Sequence, residues 1–203
     1  MDYLQQVPLF PLKRRVLFPG IPFHCAVAHP FQQDMVFDAV LERKFLGVQP
    51  VATALDEPAG VVCLARIRRV HCLPDGGLLL DLLGIARAAI RAQVPRGKPY
   101  CCVQIEILGG PSEEYAPPTG WLNEAYQTIR NLRGSPGPEP DPFPRGLWLD
   151  MLCHFLPVPF DAKVQLLKET CHQRRCQMLA SYGSYWKTGR LMRKYLPRLF
   201  CWN

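Results

Sequence analysis

Apolar positions along this chain recur first with the short period of strands and later with the longer period of helices, and the change falls near residue 110. Residues 7–12 and 21–27 are short apolar runs separated by Pro19-Gly20, a dipeptide that turns a chain, and both read as strands. Pro30 suits a first helical position, where its missing N–H costs nothing. Phe31, Met35 and Ala39, with Val36 and Val40, then form an apolar stripe at helical spacing, so one amphipathic helix is expected, ending near Arg43-Lys44. In residues 61–70 the side chains of Cys63, Ala65 and Ile67 share one face of a strand and Arg66 and Arg68 the other. Pro74-Asp75-Gly76-Gly77 supplies a turn before residues 78–83, which hardly alternate and read as a strand covered on both sides. Val103, Ile105 and Ile107 alternate with Gln104 and Glu106, as in a half-exposed strand. Several short strands with one helix predict a closed or nearly closed β-barrel.

Beyond Pro111 the helical period takes over. Residues 120–133 and 145–155 read as helices, Asp161 is expected to cap a helix running to Lys168, and Thr170 to cap another reaching about Tyr182. Between the first two, residues 134–144 carry alternate prolines that remove the donors a helix or central strand needs, which predicts a loop. The expected organisation is therefore α+β: a β-barrel domain over residues 1–112, then a small helical subdomain over 113–203 with a Pro-rich loop at 134–144 and a basic tail at 184–203.

Length and composition allow this fold without staples. The chain has 203 residues, 48% hydrophobic and 20% charged, enough to bury a core unaided by disulfides or a structural metal. It lacks a long apolar run and opens without the basic-then-apolar pattern of a signal peptide, so a cytoplasmic protein with no transmembrane segment is expected. Nine cysteines, an odd number without regular spacing, read as reduced, mostly buried thiols. The net charge of +7 has a single source: all 17 acidic residues lie at or before Glu169, whereas seven of the 24 basic residues follow it. Any anionic partner is thus to be sought at the tail.

Three linked segments carry a family likeness. Pro8-Leu9-Phe10-Pro11-Leu12, Val16-Leu17-Phe18-Pro19-Gly20 and Pro30-Phe31-Gln32-Gln33-Asp34-Met35-Val36 resemble, in order and spacing, the opening of Lon-protease N-terminal domains. The likeness continues through residues 60–67, Leu73-Pro74-Asp75-Gly76-Gly77, Gly84-Ile85-Ala86-Arg87 and Pro99-Tyr100. It ends at Lys163-Val164-Gln165-Leu166-Leu167 followed by Arg174 or Arg175, which is similar to the family's last paired helices. The resemblance implies a PUA-like pseudo-β-barrel and a role in recognising protein or unfolded peptide. One departure is that His29 precedes Pro30 and Gln32-Gln33 follow Phe31, where many members carry an acidic residue and an arginine. The prolines read as barrel-edge residues that block strand addition, and glycines 20, 76, 77 and 84 as turns or points of close backbone approach. Full Lon enzymes continue into an ATPase with a phosphate-cradling loop and a peptidase with a Ser-Lys dyad. No G-x-x-x-x-G-K-[ST] occurs here, which points to a stand-alone, non-catalytic recognition domain, with an adaptor role in proteolysis or protein quality control as one use of it.

Three constellations carry candidate chemistry. His24-Cys25-His29, His71-Cys72, Cys101-Cys102, Cys153-His154 and Cys171-His172-Cys176 bring metal-ligating residue types together, but none offers the C-x-x-C pair of a structural zinc site, so no metal and no other cofactor is expected. A Cys-His nucleophile needs a base and an orienting group that sequence adjacency does not give, and no catalytic residue is assigned. The basic tail interleaves Tyr185, Trp186, Tyr195, Phe200 and Trp202 with Lys187, Arg190, Arg193, Lys194 and Arg198. Those five cations are the candidate anionic-partner surface, and RNA binding through them is the alternative to peptide recognition. The competing reading packs Leu191, Met192, Tyr195, Leu196 and Leu199 as the apolar face of a terminal helix.

Overall fold

The structure, a computed structural model, describes residues 5–42, 45–53, 58, 60–95, 97–109, 145–156 and 158–182. The chain divides into two compact units, Met1–Gly110 and Pro111–Asn203.

In the first unit the described elements are β1 (Gln5–Lys13), β2 (Pro22–Val27), α1 (Pro30–Glu42), β3 (Phe45–Val51), β4 (Val61–Cys72), β5 (Leu78–Val94) and β6 (Cys102–Ile107). The strands form one mixed sheet in the order β2-β5-β4-β3-β1-β6, and a further β5–β6 pairing joins its far end back to β5. Five strands thus close into a ring, with β2 attached outside it along the first part of β5. The length of β5 makes this closure possible. Its 17 residues pair with β2 over Leu78 to Leu83, with β4 over Leu78 to Ala89 and with β6 over Ala88 to Val94. Register shifts opposite Ile85, at Arg68 and at Arg91 each place one extra residue in the ladder, and such bulges bend and twist a strand enough to serve two neighbours in turn.

The ring encloses Val7, Leu9, Val62, Leu64, Ala88, Val103 and Ile105, all 5% exposed or less. The opposite strand faces bury Cys63, Ala65, Ile67, Leu80 and Leu82. The 16–21 segment, in which only Gly20 is exposed and Pro19 half-buried, is clamped to β5 through backbone alone: the Gly20 N–H donates to the Gly84 carbonyl at 2.8 Å and the Gly84 N–H to the Ile21 carbonyl at 3.0 Å. A Cβ at Gly84 would lie 2.2 Å from the Phe18 carbonyl oxygen, so this close approach demands glycine.

Two expectations about the first unit change. The sequence pattern assigns no element to residues 45–51, yet they form β3, which pairs in parallel with β1 and antiparallel with β4. The prolines of β1 guard only half an edge each, because β1 changes partner part-way along its length. Its first half, Gln5 to Pro8, pairs with β6 and its second, Leu9 to Lys13, with β3. Each half keeps one unpaired side, where a nitrogen without hydrogen is tolerated. The β4–β5 turn is as expected: Gly76 takes φ 82°, and the Gly77 N–H donates to the Asp75 side chain at 2.9 Å. Gln33, where the likeness to the family breaks, donates to the carbonyls of Ala28 and Gly76 and so pins α1 to that turn.

In the second unit the described elements are α2 (Arg145–Phe155), α3 (Phe160–Lys168) and α4 (His172–Ser181). Leu149, Leu152 and Cys153 of α2, Ala162, Leu166 and Leu167 of α3, and Cys176 and Leu179 of α4 are buried. The expected caps are corrected by one or two residues. Asp161 lies within the first turn of α3 after Pro159, and Cys171, not Thr170, precedes α4, where its N–H is satisfied by the Glu169 carboxylate at 2.8 Å. Of the two arginines in the last-helix motif, Arg175 is buried at 2% exposure and pairs with Asp150 at 2.7 Å, while Arg174 faces outward. The expected helix at 120–133 and the Pro-rich loop at 134–144 lie outside the described residues.

Candidate functional site

The α+β sheet leaves one broad strand face unburied, past the end of the ring, where β2, β5 and β4 lie side by side. Register fixes its rows. Pro22, Leu83 and Arg66 stand opposite one another, then His24, Asp81 and Arg69, then Ala26, Leu79 and His71. Pro22, His24, Ala26, Arg66, Arg69 and His71 are exposed, Leu79 and Leu83 half-buried. Arg68, the extra residue of the β4 bulge, is also exposed and leans back over the middle row. The face therefore presents Leu79 and Leu83 on β5 with the arginines of β4 along one side.

Asp81 sits at its centre. It is only 7% exposed and is the sole acidic residue of the three strands. His24 Nε2 lies 3.6 Å from its Oδ1 and Arg68 Nε 3.6 Å from its Oδ2, ion-pair distances that are too long for hydrogen bonds, and Oδ1 has no hydrogen-bond partner. The carboxylate is thus held between an imidazole and a guanidinium without being saturated by them. The basic side chains outnumber it, so the face as a whole is positive.

A second exposed surface is the outer side of α1. Phe31, Phe37 and Leu41 are 52%, 47% and 84% exposed, and Phe37 and Leu41, four residues apart, share a helix face. Asp38, on the same helix, is tied to the β5–β6 connection: the Tyr100 hydroxyl donates to its Oδ2 at 2.5 Å and the Lys98 amine at 2.8 Å. The Lys98 hydrogen bond, and after it that of Tyr100, holds the Asp38 carboxyl below its ordinary range, while burial, then Asp38, pushes the Tyr100 phenol up.

The sequence clusters fare unevenly. Among the described residues no three of His, Cys, Asp and Glu gather where one ion could be held. The described cysteines are all free thiols. Burial pushes Cys25 up to about 11 against the opposing pull of Arg15, and raises Cys101 and Cys176 as well, so these three are not thiolate nucleophiles at neutral pH. His172 and Cys176 share a helix face, as their spacing requires, and both are buried. The tail cations Lys187, Arg190, Arg193, Lys194 and Arg198 lie outside the described residues. Among the described residues no helix is long and apolar enough to cross a membrane.

The sequence pattern alone does not gather the positive face. Its signal was present in the sequence, in the alternation of Arg66 and Arg68 with buried neighbours and in the lone Asp81 of an otherwise apolar run, but the register that gathers them with His24 is set by long-range pairing.

The sequence pattern of the ATP-dependent protease La (LON) substrate-binding domain matches residues 6–182. The chain belongs to this family. A Lon N-terminal domain protein from Xanthomonas campestris is similar in structure, with a TM-score of 0.70 at 24% identity, over 88% of this chain and 98% of that one. The N-terminal domain of the Mycobacterium avium complex Lon protease is similar at a TM-score of 0.63 and 17% identity, over 92% and 100%. At these identities the two structures establish the fold of a Lon substrate-binding domain and nothing finer. No curated protein matches the chain.

Proposed function

We propose that this Lon-family domain works without chemistry of its own, by binding exposed segments of other proteins, and that it serves as an adaptor in proteolysis or protein quality control. The observation that carries the reading is the family match, which runs from the first strand to the last described helix and concerns a substrate-binding domain. Two features of the surface support it. The outer side of α1 exposes three large apolar side chains, more than scattered single residues, and the β2–β5–β4 face offers an aliphatic strip in a polar frame. Buried free thiols suit a reducing compartment, and we assign the domain to the cytoplasm on that ground.

The test is selective capture. A small protein that stays unfolded once its disulfides are reduced and alkylated is offered beside its own native form, and binding is followed by fluorescence anisotropy. Binding of the unfolded form alone is the expected result. Equal binding of both forms, or of neither, removes the proposal.

A further inference from the structure

Within that reading, we infer that the β2–β5–β4 face selects its partner by charge: it receives a short segment carrying Asp or Glu among apolar residues. The inference rests on the peptide-recognition reading and adds the chemical class of the segment.

Asp81 is more than nine-tenths buried at the centre of the face, and the arginines around it outnumber it, so the face keeps positive charge that its own residues do not match. The Asp81 neighbours His24 and Arg68 keep side-chain exposures of 41% and 43%, so both stay in contact with solvent. Arg66 and Arg69 stand one row apart on β4, both exposed, and no acidic residue of β2, β4 or β5 other than Asp81 is available to them. A guanidinium presents a planar fork that matches a carboxylate, and between these forks Leu79 and Leu83 offer aliphatic surface. The ligand complementary to this pattern has carboxylates spaced by apolar side chains.

A protein segment fits better than a nucleic acid. Stacking of bases needs exposed aromatic rings, whereas the aromatic beside Arg66, Phe45, is half-buried against the ring's core. Asp81 in the middle of the face also opposes a run of phosphates. The face thus reads mixed apolar and acidic chemistry, not uniform negative charge.

Two dye-labelled unstructured peptides of equal apolar content, one bearing Asp and Glu and the other Lys and Arg, are titrated with the full chain at low and at moderate salt. The acidic peptide is expected to bind at least about tenfold more tightly at low salt, with the preference shrinking as salt screens it. Reversing Arg66→Glu and Arg69→Glu together should abolish that preference. Arg68 is left in place so that Asp81 keeps its partner, and a second variant, Arg66→Gln with Arg69→Gln, with unchanged thermal unfolding, separates loss of binding from loss of fold. Equal binding of both peptides, unaffected by either variant, overturns the charge inference while leaving peptide recognition standing. Binding of neither peptide overturns both. Binding of a uridine oligonucleotide, lost in the same variants, with no peptide binding, would assign the face to nucleic acid and overturn the inference.

Discussion

Two carboxylates, Asp150 in the helical unit and Asp81 in the sheet, are equally removed from water, at 5% and 7% exposure, and each has an arginine beside it. Their settings are opposite. Asp150 accepts a hydrogen bond from Arg175 at 2.7 Å, and that arginine is itself 2% exposed, so both charges are inside, with the Arg175 Nε making no hydrogen bond. Asp81 has the His24 imidazole and the Arg68 guanidinium at 3.6 Å on two sides, both about two-fifths exposed, and an oxygen left without a hydrogen bond. A closed pair fixes how helices meet; an open one remains available to something else. The difference lies in whether the cation is buried with its partner, since only then does breaking the contact strand a charge in a low dielectric.

The strongest test of the closed pair is to remove half of it. Arg175→Met should cost about 3–5 kcal/mol of stability, because Asp150 is left buried without its cation. Urea unfolding followed by circular dichroism measures this. Adding Asp150→Leu to the same chain should recover most of the loss, since replacing a buried pair by packed apolar residues is often neutral or better. If the double variant is no more stable than the single one, the pair is not the closed unit described here.

The backbone clamp at Gly84 comes next in size and belongs to the sheet unit, where it has no charge to act through. Gly84→Ala puts a methyl 2.2 Å from the Phe18 carbonyl, against backbone that can yield only by giving up the Gly20 and Ile21 hydrogen bonds. A destabilisation at the upper end of about 1–3 kcal/mol is expected, read as a lower midpoint in the same unfolding experiment.

A smaller, pH-dependent effect separates the helical unit further. The Lys163 amine donates to the His154 carbonyl, and burial pulls it down to about 8 from an ordinary 10.5. Between those values the unfolded chain binds more protons than the folded one, so stability should rise with pH from about 8 to 10.5 as the folded amine loses its charge. Lys163→Met should flatten that rise. A stability curve that falls across this range in the unmodified chain, or a rise that survives the substitution, counts against the buried amine.

These features were legible in the sequence to different depths. β4 could be read from the alternation of Cys63, Ala65 and Ile67 with Arg66, because a half-buried strand writes its pleat into the order of residues. α1 was visible for the same reason at helical period. β3 was not, since residues 45–51 hold Gly47 and Pro50 and owe their strand to the neighbours on either side. Arg174 and Arg175 were indistinguishable until packing chose one, because adjacent helical residues point about 100° apart and only the partner helix decides which direction is inward. Asp81 was hidden by its surroundings. Inside Leu78-Leu79-Leu80-Asp81-Leu82-Leu83 it read as one polar residue in a covered strand, and only the register with His24 and Arg69 shows it as the centre of a face.

The smallest expected effect on stability bears most directly on the opening contrast. Asp81→Ala removes a carboxylate about as buried as Asp150, yet the side chains it leaves, His24 and Arg68, are each about two-fifths exposed to water. Stability should therefore change by less than about 1 kcal/mol, the range of an exposed ion pair. Binding should move the other way. With its one negative charge gone, the face becomes more positive, so an acidic peptide should bind more tightly and with steeper salt dependence, while a basic peptide gains nothing. A loss of several kcal/mol would place Asp81 beside Asp150 as a structural charge. Unchanged stability with weaker acidic-peptide binding would instead show that the carboxylate orients Arg68 for the ligand, keeping the site but reassigning what Asp81 does in it.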